Sequence, residues 1–323
     1  MVAGDEVRVS RRPVPGTALS VSSIGLALDP VGAGNPTFDQ RTVATLRSAR
    51  SRGVTAFEVV EGAGSLRAER LLGQAFPSAD PDLVVILGRS VSSLAEERTR
   101  GSPASPQDVL EHRLRSSVLE SATRIGPLPV GLIAWRHEPE SGVTLADVTD
   151  ALERLRSTGL FAGWALSATD DGTLPEAAAA GTAARPELFT GAFSPLEPGL
   201  LGSLGERASR GPVGFFARDP LGSGRLDGTR FAESIADRRP DARPLNVREL
   251  RREFDPVLRL GFLTEGHRRT LAQASLQFVL RWPWVCAALV PLPSPERLDE
   301  LLRAETTPPL SEGEVDRLLA RSP

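Results

Sequence analysis

The sequence predicts an α/β protein built as a closed (β/α)8 TIM barrel, and three observations carry that expectation. Short apolar runs alternate with helical patterns along nearly the whole chain, the pattern of a parallel sheet whose strands are joined by crossover helices. Eight such runs occur, the number that closes a barrel. The 323 residues lie somewhat above the roughly 250 typical of that fold, so a single domain over 1–323 accounts for the chain.

The eight strands are expected at Ser20 to Leu28, Thr55 to Val60, Leu83 to Arg89, Val130 to Arg136, Phe161 to Ser167, Leu188 to Phe193, Val213 to Arg218 and Val285 to Pro291. Helices between them carry start and stop signals. Ser105-Pro106 sets a capping hydroxyl and a first-turn proline ahead of Leu110, Leu114 and Val118, with Gly126 closing the helix. Thr144 with Asp147 reads as a capping box before Leu145, Val148, Leu152 and Leu155, and Gly159 ends that helix. Ser311 with Glu314 repeats the device before Val315, Leu318 and Leu319. One connection, about 219–268, is too long for a bare βα loop and reads as a lid or strap at the rim.

Composition narrows the function. The formal net charge of -3 offers no basic stripe to displace counterions from phosphates, which argues against nucleic acid. The start Met1-Val2-Ala3-Gly4-Asp5-Glu6 lacks a signal peptide's features and no run is long and apolar enough to cross a bilayer, so a cytoplasmic protein with no membrane partner is expected. The single cysteine, Cys286, sits in an apolar run and reads as a small buried hydrophobe. Three scattered histidines and one cysteine supply no metal-ligand spacing; His112 and His267 read as surface groups. There is no Gly-x-Ser-x-Gly elbow for a serine hydrolase. Lysine and tyrosine are absent from the whole chain.

The organising stretch is Phe57-Glu58-Val59-Val60-Glu61-Gly62-Ala63-Gly64-Ser65, followed by Ala68-Glu69-Arg70-Leu71-Leu72-Gly73. It reads as a strand, a glycine-rich loop and a helix, which delivers acidic side chains to the C-terminal rim of the sheet. This stretch resembles the aldo/keto reductase signature Phe-Asp-Thr-Ala, two residues, Tyr-Gly, then Ser-Glu-x-x-Leu-Gly. Three further segments are similar to that family: Thr158-Gly159 through Ser167-Ala168, Gly214 through Leu226, and Thr270 through Leu280. The likeness spans roughly residues 18 to 320 and implies a barrel of aldo/keto reductase type.

In that family an aspartate, a tyrosine, a lysine and a histidine surround the substrate carbonyl. An ungapped match puts Glu58, Ala63, Arg89 and Arg136 at those positions. His137 adjoins Arg136, and period-two alternation lets only one of the two point inward; the ungapped match favours Arg136. Alanine donates no proton, so the resemblance implies that the standard carbonyl reduction is lost. Glu58 and Arg89 are expected to form an ion pair in the barrel mouth, and Glu61 on the loop is a further candidate base.

For the cofactor, the resemblance points to Ser167 and Thr190 near the nicotinamide, to Arg218, Pro220, Leu221, Gly222, Ser223 and Gly224 over the diphosphate, and to Ser294 with Arg297 near the adenosine phosphate. NADP or NAD is expected to bind weakly or not at all. Three classes of function stay open. The first is a barrel that binds a small molecule, or serves beside a protein partner or a second copy of itself, without carbonyl reduction. The second is an NAD(P)H-dependent oxidoreductase using water or the long loop as proton donor. The third is a lyase or isomerase with Glu58 or Glu61 as base beside Arg89 and Arg136.

Overall fold

The computed structural model describes residues 9–28, 36–94, 106–169, 173–174, 186–236 and 247–320. Eight parallel strands close a barrel: β3 (Ile24–Leu28), β4 (Ala56–Val59), β5 (Val84–Arg89), β6 (Val130–Trp135), β7 (Gly163–Ser167), β8 (Leu188–Ala192), β9 (Gly214–Arg218) and β10 (Val285–Pro291), which pairs back to β3. Each of the eight runs read from the sequence therefore forms a strand. Alternation along the strands divides the apolar residues between two clusters. Ala56, Val84, Ile86, Leu132, Ala134, Ala165 and Phe216 fill the inside of the barrel. Their chain neighbours Phe57, Val85, Leu87, Ile133, Leu166 and Phe215 face the surrounding helices.

The helix signals hold where they are described. α3 (Pro106–Ile125) begins at its proline and ends at Gly126, whose φ of 69° is left-handed; Ser105 lies outside the described residues. Thr144 caps α4 (Leu145–Ser157) with Asp147, and Ser311 caps α10 (Glu312–Leu319) with Glu314, both as reciprocal capping boxes.

One strand expectation needs correction. The run Ser20 to Leu28 is two strands, because β2 (Ser20–Ser22) pairs antiparallel with β1 (Arg11–Pro13) before β3 begins. The break falls at Ser23, whose N–H donates to Ser10 O at 2.8 Å and whose hydroxyl donates to Glu305 at 2.6 Å. This hairpin sends Val14 and Val21 into the inner cluster, and Arg12 ties it to the carbonyls of Leu280 (2.7 Å) and Val285 (2.8 Å). The long connection, read as too long for a bare loop, carries helices of its own. It contains α6 (Thr229–Ala236) and α7 (Val247–Leu258), joined by an edge-on Phe231 and Phe254 pair at 5.3 Å and by Arg230 with Glu253 at 2.8 Å; residues 237–246 lie outside the description. Its glycine and proline content, including Pro256 within α7, masked the helical pattern.

Cys286 is buried in the inner cluster, and burial pushes its thiol pKa up to about 12. Reaction with iodoacetamide at pH 8 is therefore expected only after denaturation. Labelling of the folded protein at the rate of a free thiol would show that the barrel interior is open.

Candidate functional site at the C-terminal rim

β4 and β9 meet chemically across the barrel. Glu58 shares the inward phase of Ala56 and is fully buried; its register partner on β5 is Ile86, also inward. Its Oε1 accepts from Arg218 Nε at 2.7 Å and again from Arg218 Nη2. Arg218 stands two residues beyond the inward Phe216 and reaches over β10 and β3, where β3 presents only the small Ala27. Glu58 Oε2 has no hydrogen-bond partner among the described residues.

The expected pair of Glu58 with Arg89 does not form. Arg89 is an odd number of residues from Ile86, so it points outward with Leu87, into the layer between α2 (Ser65–Ala75) and α3. There its Nε donates to Ser117 Oγ (2.9 Å), Nη1 to Gly88 O (2.7 Å), and Nη2 to Glu69 Oε1 (3.3 Å) and Ser121 Oγ. Glu69 Oε1 also accepts from Ser121 at 2.6 Å, and its Oε2 accepts from Arg124. Burial holds the Arg89 pKa below its ordinary value, with Glu69 opposing that shift. The inward position beside it is Gly88, and a Cβ there would meet Glu61 N at 2.9 Å.

Arg136 lies at the rim, half exposed, between two carboxylates: Nη2 is 3.1 Å from Glu61 and Nη1 2.9 Å from Glu138. Glu61 also accepts from Ser90 Oγ. Burial would raise the carboxyl pKa of Glu138, but hydrogen bonds from Ser92 Oγ (2.6 Å) and Ser92 N (2.8 Å), with Arg136, outweigh it and hold the group below the usual range. His137 is partly buried, its Nδ1 has no hydrogen-bond partner among the described residues, and desolvation lowers its pKa; His112 and His267 are exposed.

Ser167 and Thr190 are register partners on β7 and β8, and both are buried. Ser167 Oγ has no partner among the described residues, whereas Thr190 Oγ1 donates to Phe216 O at 2.9 Å. After β9, Asp219, Gly222, Ser223 and Gly224 all adopt left-handed φ values, between 49° and 77°. Asp219 closes this turn by accepting from Ser223 Oγ at 2.8 Å, and burial raises its pKa. Pro220 and Leu221 are packed beneath, where Ser275 Oγ donates to Pro220 O. Ser294 caps α9 (Pro295–Leu302), and Arg297 is held by Glu300 at 2.9 Å and by the carbonyl and carboxylate of Asp227.

A cavity of about 540 Å3 opens between α2 and α3, lined by Glu61, Ala63, Arg89, Glu69, Arg113 and Arg124 among others. Sequence reasoning did not single out Ser117, Ser121 and Arg124 of this network. The available signal was polar residues at helical spacing along α3, next to the apolar row of Leu110, Leu114 and Val118. Among the described residues no group of three or more His, Cys, Asp or Glu side chains could hold a metal ion, and no helix is long and apolar enough to cross a membrane.

Glu58 on β4, Ala63 on the loop after it and Arg136 after β6 stand at the same end of the barrel as the glycine turn after β9. A model of the aldo/keto reductase family matches residues 26–321. The chain belongs to the aldo/keto reductase family. Its fold is similar to that of aldo-keto reductase AKR11C1 from Bacillus halodurans in the holo form, with a TM-score of 0.73 at 14% identity, covering 98% of this chain and 97% of the other. It is also similar to an aldo/keto reductase from Klebsiella pneumoniae in complex with NADP and acetate, with a TM-score of 0.68 at 19% identity, covering 96% and 97%. At such identities the likeness concerns the fold. No curated protein is similar to the chain in sequence. Within this family member, the four residues that the sequence reading matched to the tetrad are dispersed: Glu58 inside the barrel, Ala63 exposed on the loop, Arg89 outward, and Arg136 at the rim.

Proposed function

We propose that this aldo/keto reductase family member binds a small molecule at the C-terminal rim of its barrel and does not perform tyrosine-dependent carbonyl reduction. The observation that carries the reading is the absence of tyrosine and lysine from all 323 residues, with alanine at position 63. Hydride transfer to a carbonyl builds negative charge on oxygen, and a positioned acid at that oxygen contributes about 10²- to 10⁴-fold in rate. Arginine is a poor substitute because its guanidinium stays protonated far above neutral pH. The Arg89 charge is spent on Glu69, and that of Arg136 is shared by Glu61 and Glu138. Neither candidate carboxylate is a free base either, since Glu58 is bound by Arg218 and Glu61 by Ser90 and Arg136.

The residues named for a nicotinamide cofactor fit it in part. Ser167 Oγ, buried and without a partner among the described residues, suits an amide group. Thr190, Arg218, Ser294 and Arg297 are already engaged within the protein. We therefore expect weak binding of NADPH and NADH alike, with little preference for the 2′-phosphate. Fluorescence titration checks this, and low-micromolar NADPH affinity with much weaker NADH affinity would contradict it.

NADPH consumption with a panel of reactive aldehydes and quinones tests the main reading. Turnover at about 1 s⁻¹ or more would overturn it and favour an oxidoreductase with another proton donor. The variant combining Ala63→Tyr with Arg89→Lys is expected to stay inactive, because the side chain at position 89 points to the helices rather than the mouth.

A further inference from the structure

The turn that follows β9 holds a carboxylate of its own. Asp219, Gly222, Ser223 and Gly224 are left-handed there, and backbone N–H groups of successive turn residues point into a concave space that suits an anion. Here that anion is a side chain. Ser223 donates to Asp219 twice, from its N–H to Oδ1 and from its hydroxyl to Oδ2 at 2.8 Å. The neighbouring N–H groups are engaged as well: Gly222 N donates to Asp219 O at 3.0 Å, Arg225 N to Gly222 O at 3.1 Å and Leu226 N to Leu221 O at 3.0 Å. Leu221 and Leu226 are buried, and a Cβ on Gly222 would meet Leu196 at 2.9 Å, so the turn is packed down onto the loop after β8.

No arginine bonds to Asp219 among the described residues. Burial raises its pKa, the two Ser223 donors oppose that rise, and Glu197 and Arg225 act on it from a distance in opposite senses. Arg225 is itself tied to Glu197 at 2.7 Å and, through Nε, to Gly222 O at 2.8 Å. A phosphate group brought to this turn would meet a carboxylate seated on the donors, and like charges set against each other suppress binding.

We infer that Asp219 acts as an internal anion that excludes a diphosphate from the turn after β9. The inference rests on the reading that NADPH and NADH bind weakly, and it assigns that weakness to one side chain rather than to the engagement of Thr190, Ser294 or Arg297 elsewhere. It also narrows what the rim takes to small molecules without a diphosphate arm.

Fluorescence titration of the full chain with NADH, which has no 2′-phosphate, and with reduced nicotinamide riboside, which has no phosphate at all, tests it. Asp219→Asn removes the charge, keeps an acceptor for Ser223 N and places a residue that tolerates a left-handed φ; Asp219→Gly removes the side chain and tolerates that backbone equally. Each should tighten NADH binding by about tenfold or more and leave the riboside unchanged. Glu312→Gln, at an 80% exposed carboxylate on α10, should change neither. Melting temperatures show that the variants fold. Low-micromolar NADH binding by the unaltered protein would overturn the weak-cofactor reading and this inference with it. Weak binding that neither folded Asp219 variant improves, or an equal gain in Glu312→Gln or with the riboside, would overturn this inference and leave that reading in place.

Discussion

Glu69→Gln is expected to cost about 3 to 5 kcal/mol of stability, the largest single effect in this protein, because it strands buried charge. Glu69 is 1% exposed and is the only carboxylate bonded to Arg89, which is itself 5% exposed, among the described residues. It also receives Arg124 and Ser121. Burial already disfavours the charged form of Arg89, and without Glu69 nothing in contact would compensate it. Urea unfolding of the variant checks this. A loss below about 1 kcal/mol would mean that water reaches the network freely. Pairing Glu69→Met with Arg89→Met should recover much of the loss, since replacing both members of a buried pair by apolar groups is far less costly than removing one.

Arg218→Met should give the second largest effect, about 3 kcal/mol, for the same reason with the sign of the stranded charge reversed. Glu58 is fully buried and Arg218 is its cation, at 2.7 Å from Nε. In a double-mutant cycle, Arg218→Met and Glu58→Gln should couple by more than about 1 kcal/mol. The cycle of Glu58→Gln with Arg89→Met should instead be close to additive. Coupling in the second cycle and additivity in the first would reverse the assignment of these pairs.

The amino-acid sequence by itself determined the barrel and much of its local grammar. The eight apolar runs, the capping boxes at Thr144 and Ser311 and the left-handed glycine at Gly126 are local patterns, and each leaves its mark within a few residues. The absence of tyrosine and lysine was equally legible, because an absent residue type needs no coordinates. Only the tertiary structure decided which charges meet. Glu58 and Arg218 are 160 positions apart and pair because two strands of a closed barrel face each other across its interior. Arg89 turned away from Glu58 through the phase of β5, in which one residue reverses the side-chain direction. Its true partners Glu69, Ser117 and Ser121 come from two helices whose packing angle no sequence period records. Secondary structure is written in short-range periodicity, whereas a site is a juxtaposition of strand ends and helix faces, and that is set by closure and packing of the whole chain.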